Sequence, residues 1–352
     1  MSERMETRAG HVALVGRPNA GKSTLLNALV GEKLSIVTPK AQTTRESVTG
    51  LLTEGNVQAI FVDTPGLLEP RYTLQRAMHE TALDVLRESD LVLVLLDATR
   101  GDDLPSPEVV EELRRRAESI IVLVNKIDAA TESDVENLAA WSIQELGLEP
   151  RRISAAVGEG VPELWQEIAE RLPESPFYYP EDELAVQPVR FFVAELIRET
   201  VFELYDQEVP YSTIARVETF RESTDPVYIA ATVYVERDSQ KPIILGKGGS
   251  GIRELGSRSR EKIEGFLGQR VYLDLWVKTL PNWRARVDTL RYLGYRLPRN
   301  FQDAGAAATG HGGGGQVEVS APDAQGPAGR KGRADKHGSG GRNRRLNRRR
   351  GD

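Results

Sequence analysis

Eight residues near the start of the chain, Gly16-Arg-Pro-Asn-Ala-Gly-Lys-Ser23, have the types and spacing to hold a phosphate chain. They match the pattern GxxxxGK[ST]. Its glycines let successive backbone N–H groups close around a β-phosphate; Lys22 brings a point charge to the β and γ oxygens, and Ser23 offers an oxygen to Mg²⁺. Asp63-Thr64-Pro65-Gly66 adds a carboxylate able to hold the metal through water and a glycine N–H able to sense a γ-phosphate. Asn125-Lys126-Ile127-Asp128 chooses the base. A carboxylate at Asp128 can accept hydrogen bonds from both the N1–H and the exocyclic amine of guanine, a donor pair that adenine lacks. A backbone N–H at Ser154-Ala155 can meet the guanine O6. The expected pocket therefore comprises Gly16, Arg17, Pro18, Asn19, Ala20, Gly21, Lys22, Ser23, Thr24, Asp63, Thr64, Pro65, Gly66, Leu67, Asn125, Lys126, Ile127, Asp128, Ser154 and Ala155.

These groups need rigid elements behind them. Between residues 11 and 172, short apolar runs (HVALVG, VQAIFVD, DLVLVLLDA, SIIVLVNKID, RRISA) alternate with longer amphipathic stretches. Continuous runs suit strands buried on both faces, and helical crossovers suit parallel neighbours. The pattern predicts a three-layer α/β domain with its ligand loops at the carboxyl ends of the strands, where each motif falls.

A second glycine loop, Gly246-Lys-Gly-Gly249, lies far downstream. It lacks the four-residue gap before a Gly-Lys-Ser ending, so it cannot wrap a triphosphate as residues 16–23 can. Before it, Pro173 to Pro188 is dense in proline and acid and reads as a linker. VRFFVAELIRETVFEL has helical spacing, STIARVETF and VYIAATVYVE alternate as strands, a helix is expected to follow the glycines to about Leu267, and VYLDLWVKT is a further strand before a short helix.

Of the 352 residues, 39% are hydrophobic and 28% charged, ordinary for a globular chain with room for about two domains. The absence of cysteine excludes disulfides and thiolate metal sites. Four scattered histidines suggest no metal cluster, and the apolar runs are too short to span a bilayer. From Arg330 to Asp352 there are ten Lys or Arg against two Asp, a surplus of eight positive charges; the rest of the chain carries −14 of the −6 total. That end can serve as a sequence-independent nucleic-acid anchor or as a solvated tail. Residues 303–341, rich in Gly, Ala, Pro and Ser, are expected to be disordered.

In this order, at strand ends, the first-half motifs resemble those of translation-factor-like GTPases. The second half, with Gly246-Lys247-Gly248-Gly249, resembles a type II KH domain. Together with the string LDLWVKTLPNW, the chain over about residues 11–296 resembles the Era family of bacterial ribosome-assembly GTPases. That resemblance implies a flexible start at 1–10, a P-loop GTPase domain at 11–173, a linker at 174–188, an α+β KH domain at 189–296 and a basic tail at 297–352. It implies GTP and GDP as ligands, with Mg²⁺ held by Ser23, Thr44 and Asp63, where Thr44 closes on the metal when GTP is bound. Catalytic roles fall to Asn19, Lys22, Thr44 and Gly66. In relatives with the GxPNxGKS form, the asparagine helps hold a monovalent cation, so K⁺ stimulation of slow hydrolysis is expected at Asn19. Leu67 stands where many GTPases have a water-orienting glutamine and can neither donate nor accept a hydrogen bond. RNA contacts fall to the glycine loop and Arg253. The implied partners are small-subunit ribosomal RNA near its 3′ end and the 30S subunit, for a monomer that is cytoplasmic with a peripheral membrane fraction. A different class, a passive RNA-binding scaffold with a nearly silent nucleotide pocket, is kept open by Leu67. An RNA-modification GTPase is a fainter option, with no residues resembling a site for base chemistry.

Overall fold

The computed structural model describes residues 6–38, 40, 42–295 and 297, together with the backbone of 346–347. The long tail expected to be disordered lies otherwise outside the described residues.

In chain order the first domain contains β1 (Arg8–Gly16), α1 (Lys22–Val30), β2 (Val48–Glu54), β3 (Val57–Asp63), α2 (Thr73–Glu88), β4 (Leu91–Asp97), α3 (Pro107–Arg114), β5 (Ile120–Asn125), α4 (Glu132–Leu146), β6 (Arg151–Ile153), α5 (Val161–Arg171) and β7 (Glu183–Ala185). β3, β1, β4, β5 and β6 lie side by side and parallel. Their residues point alternately to two layers, as the pleat requires. From β1, Val12 and Leu14 join Leu25, Phe61 and Ile168 on the α1 and α5 face, while Ala13 and Val15 join Leu83, Val110 and Leu138 on the α2, α3 and α4 face. This explains why the strand runs are continuously apolar. α4 starts on a reciprocal cap between Thr131 and Asp134 and stops at Gly147, whose φ of 70° terminates the helix without strain.

Two features depart from the alternating pattern. β2 is antiparallel to β3 across the tight turn Gly55-Asn56 and sits at the edge of the parallel set. β7, inside the stretch expected to link the domains, adds antiparallel beyond β2, and the backbone of β11 (Leu346–Asn347) pairs with β7. The stretch is further tied down by Gln58, wholly buried in β3, whose Oε1 accepts from the N–H groups of Tyr178 (2.8 Å) and Tyr179 (3.0 Å) and whose Nε2 donates to the Tyr179 carbonyl (2.8 Å). A single buried amide thus answers three backbone groups of an otherwise irregular segment.

The second domain is built from α6 (Val189–Leu204), β8 (Ile214–Arg221), β9 (Val227–Val235), α7 (Lys241–Leu245), α8 (Ser250–Leu267), β10 (Val271–Thr279) and α9 (Val287–Tyr292). Its sheet runs β10-β9-β8, with β9 parallel to β10 and antiparallel to β8. Ile229, Ala231 and Val233 pack down on Val193, Ile197 and Val201 of α6 and on Leu255 and Ile263 of α8.

The two domains share a core. Leu74 and Met78 of α2 pack with Ile214, Tyr234, Leu290 and the fully buried Trp283. The Leu74 N–H donates to the Arg284 carbonyl (3.0 Å), and Thr73 Oγ1 donates to Ala285 O (2.9 Å). Among the described residues, no helix is long and apolar enough to cross a membrane.

Gln58→Leu removes the amide but keeps the volume, stranding the Tyr178 and Tyr179 groups. It is expected to cost about 2–3 kcal/mol in urea unfolding. Chymotryptic cleavage at Phe177 to Tyr179 should accelerate, and a wild-type digestion rate would show that Gln58 does not hold this segment.

Candidate functional site

The loop joining β1 to α1 carries the phosphate motif over a cleft of about 370 Å³ whose lining includes Pro18, Asn19, Gly21, Lys22, Ser23 and Thr24. Asn19 adopts φ 67° and Gly21 φ 97°, left-handed conformations that turn the chain tightly before the helix. A Cβ at Gly21 would lie 2.2 Å from Asn125 Nδ2, and one at Gly66 would lie 2.6 Å from the Pro18 nitrogen. Both glycines are therefore required by close approach. The Leu67 N–H donates to Gly16 O (3.0 Å), fastening the Asp63-to-Gly66 turn to the phosphate loop.

At the end of β3, Asp63 is fully buried. Its Oδ2 accepts from Ser23 Oγ (2.7 Å), Ser35 Oγ (3.0 Å) and Thr44 Oγ1 (3.4 Å), and Ser23 Oγ and Thr44 Oγ1 are 3.0 Å apart. Its Oδ1 is buried with no hydrogen-bond partner among the described residues. Burial raises the Asp63 carboxyl above the usual range, against the pull of Lys22 and the three hydroxyls; burial also pushes the Lys22 ammonium down to about 8, opposed by Asp63. Hard oxygens converging on an incompletely paired carboxylate fit Mg²⁺, which would be held by Ser23, Thr44 and Asp63. Lys22 Nζ donates to Gly16 O (3.2 Å) and Arg17 O (3.0 Å), so its charge stands inside the phosphate loop.

The base-reading motif lies across the cleft. Asn125 Nδ2 donates to Ala20 O (2.8 Å), and Asn125 Oδ1 accepts from the Ala155 N–H (3.0 Å), tying the phosphate loop to the turn after β6. Both N–H groups of the dipeptide expected at guanine O6 are thus engaged within the protein, that of Ala155 by Asn125 and that of Ser154 by Glu159 O (2.9 Å). Ser154 Oγ donates to Asp128 Oδ1 (2.5 Å), orienting the carboxylate. Lys126, at φ 67°, pairs with Asp97 (2.6 Å).

Three expected pocket side chains, those of Thr64, Leu67 and Ile127, turn away from it. The Thr64 hydroxyl is buried and donates to Leu14 O (2.7 Å), while the Leu67 side chain packs in the core with Val15 and Val94 and its N–H is spent on Gly16. An apolar side chain and a hydroxyl already bonded to β1 gain more there than at a polar cleft. Ile127 packs against the same core, and Ala20 and Ala155 are buried. Arg17, expected in the pocket, instead pairs with Asp103 at 2.7 Å. Conversely, Ile36, Val37, Thr38, Gln42, Thr99 and Arg100 line the cleft. None of those six belongs to a spaced motif, and Ser35, which donates to Asp63, carries no local signal.

In the second domain, Gly246, Gly248 and Gly249 all have positive φ (69°, 60° and 77°) between α7 and α8. A Cβ at Gly246 would meet the Gly251 nitrogen at 2.4 Å. Lys247 and Gly248 are exposed, and Arg253 in the first turn of α8 stands beside Gly249. Ile244 and Leu255 belong to the core. The loop therefore exposes bare backbone with cations beside it, as close contact with a single-stranded sugar-phosphate chain requires.

Comparison with known proteins agrees with both halves. A family model described as 50S ribosome-binding GTPase matches residues 11–126, and a KH domain model matches 208–284. The GTPase Era of Bradyrhizobium sp. (strain ORS 278) is 42% identical over 295 residues, covering 83% of this chain and 96% of that protein. The GTPase Era of Thermotoga maritima is 44% identical over 285 residues, covering 80% and 95%. Among solved structures, a tyrosine-to-alanine variant of Aquifex aeolicus Era bound to GDP and AlF₄⁻ matches with a TM-score of 0.77 and 38% identity, over 83% of this chain and all of that one. Era in complex with MgGDPNP and nucleotides 1506–1542 of 16S ribosomal RNA matches at 0.78 and 38%, with the same coverage.

Asp128→Asn exchanges one acceptor oxygen for a donor facing the guanine amine. GDP affinity measured by calorimetry is expected to fall about a hundredfold, the loss of a charged double hydrogen bond. Preference should shift toward xanthosine diphosphate, whose C2 oxygen suits the new donor.

Proposed function

The chain belongs to the Era family of GTPases, and on that premise we propose that it is a GTP-hydrolysing switch whose KH domain holds small-subunit ribosomal RNA near the 3′ end during 30S assembly. The observation that carries the switch reading is the convergence of Ser23, Thr44 and Asp63 oxygens behind the phosphate loop. The RNA reading is supported by the exposed, positive-φ glycine loop and by the related Era complex with 16S ribosomal RNA.

The residues divide the work. Main-chain N–H groups of the phosphate loop and the Lys22 ammonium gather the phosphates, and developing negative charge is stabilised by donors already in place. Mg²⁺, when bound, supplies charge neutralisation at the β and γ oxygens. Asp128, oriented by Ser154, reads the guanine edge. Gly66, where a Cβ would collide with Pro18, would offer its main-chain N–H to a γ-phosphate. Because Leu67 is committed to the core, its side chain does not orient the attacking water. Asn19, at the cleft, supports a reading in which K⁺ takes part in hydrolysis. The protein is read as a cytoplasmic monomer, with a peripheral membrane fraction, that engages the 30S particle transiently.

Filter binding of an RNA spanning 16S nucleotides 1506–1542 should give affinities differing by about tenfold or more between the GTP-analogue and GDP states, within the usual range of allosteric coupling. Equal affinities would remove the switch. Gly248→Asp combined with Gly249→Asp places side chains and negative charge on the exposed loop and should weaken that binding by at least about tenfold. Turnover should be faster in K⁺ than in Na⁺ at matched ionic strength; identical rates exclude the Asn19 cation.

A further inference from the structure

We propose that Arg45 and Arg198, one on each side of the domain seam, are positioning residues for Thr44, so that the KH domain itself holds this threonine at the metal site. The inference rests on the reading of Thr44 given above and concerns what keeps it there.

The chain on both sides of Thr44 is held by the second domain. Arg45 is buried; its Nη1 donates to Thr213 O (2.6 Å), its Nη2 to Pro210 O (3.0 Å) and Tyr211 O (2.9 Å), and its guanidinium lies 5.5 Å over the Trp283 ring. Trp283 in turn donates to Ser212 O (2.9 Å), so one turn presents four carbonyls to two side chains. From α6, the buried Arg198 donates through Nη2 to Thr43 O (2.5 Å) and is oriented by Glu195. The Thr43 carbonyl shares a peptide plane with the Thr44 nitrogen, so Arg198 fixes that plane directly. Lys40 Nζ donates to Phe202 O (2.7 Å), Tyr205 O (2.6 Å) and Asp206 Oδ1 (2.7 Å), capping the C-terminal end of α6, where a cation is favoured.

With the peptide before Thr44 and the side chain after it anchored, little rotational freedom remains, and its Oγ1 rests 3.0 Å from Ser23 Oγ. The anchoring bonds are charge-assisted and out of water, the strong class. Releasing the segment would strand buried carbonyls and a guanidinium, so the docked seam and a placed Thr44 occur together. Linkage makes this reciprocal: whatever favours Thr44 at the metal favours the docked KH domain.

The test is a double-mutant cycle on single-turnover GTP hydrolysis by the full chain, comparing wild type, T44A, R198M and T44A/R198M. R198M alone should slow hydrolysis by about tenfold and raise the Mg²⁺ concentration for half-maximal rate, with GDP affinity unchanged. In the T44A background, adding R198M should slow it by less than about twofold, because the group it positions is gone. Equal slowing in both backgrounds overturns the proposal as mere structural damage, as does a wild-type rate for R198M. A wild-type rate for T44A would instead refute the reading of Thr44, and this inference with it. If R198M does not fold, K40A carries the same cycle, since its partly exposed side chain leaves no buried charge behind; about threefold slowing and the same loss of additivity are expected. Additive effects there overturn the proposal.

Discussion

A carboxylate buried at the end of β3 sets the terms for its surroundings. Asp63 has no exposure, and such a charge is costly unless hydroxyls, an ammonium or a cation answer it. Ser23 and Lys22 come from the first turn of α1, Ser35 and Thr44 from the segment that follows that helix. Each group can reach Asp63 only if β1 and β3 are adjacent and in register, with Leu14 opposite Asp63. The two apolar layers secure that register. The catalytic geometry is thus a consequence of packing several residues behind it.

The same requirement extends across the domain boundary. The segment 33–45 contributes Leu34 and Ile36 to burial, but its described residues form no helix or strand of their own. Asn27 of α1 holds the backbone of Leu34 and Ser35, and three cations tie the segment to the second domain: Lys33 on Glu199, Lys40 on the end of α6 and Arg45 on the turn at 210–213. α2, which follows the Asp63-to-Gly66 turn, is fastened to the same domain through Leu74, Met78 and Thr73. Both chain segments next to the Ser23, Thr44 and Asp63 cluster therefore end on one surface. On the function proposed above, a GTPase domain joined to an RNA module in this way needs no long-range relay, because the segments assigned to sense the nucleotide are themselves part of the seam.

Much of this was legible beforehand, for reasons that can be named residue by residue. Parallel strands covered on both faces demand unbroken apolar runs, and those at Leu91–Asp97 and Ile120–Asn125 are among the strands observed. β2 was not anticipated, because its Gly50, packed against Leu26, Val30 and Leu34, interrupts the apolar run. β7 was hidden by flanking prolines and acids; its pairing depends on an edge left open by β2 and on Gln58, more than a hundred residues earlier. Thr64 lies inside the pocket's motif and Leu67 next to it, yet motif membership does not say where a side chain points: the hydroxyl of Thr64 is answered by Leu14 O and the Leu67 side chain by Val15 and Val94.

The amino-acid order alone located the phosphate-loop motif, the carboxylate proposed to read guanine and the glycine loop of the KH domain, because each is a short-range device whose members lie within eight residues and whose geometry tolerates few substitutes. Only the tertiary structure decided which arginines matter. Arg45 finds its acceptors 165 to 168 positions away and Arg198 reaches Thr43 across 155. Nothing in their local sequence separates them from solvated surface arginines. A guanidinium becomes a buried clamp when two domains close over it and present carbonyls at the right spacing, and that spacing is a property of the assembled fold.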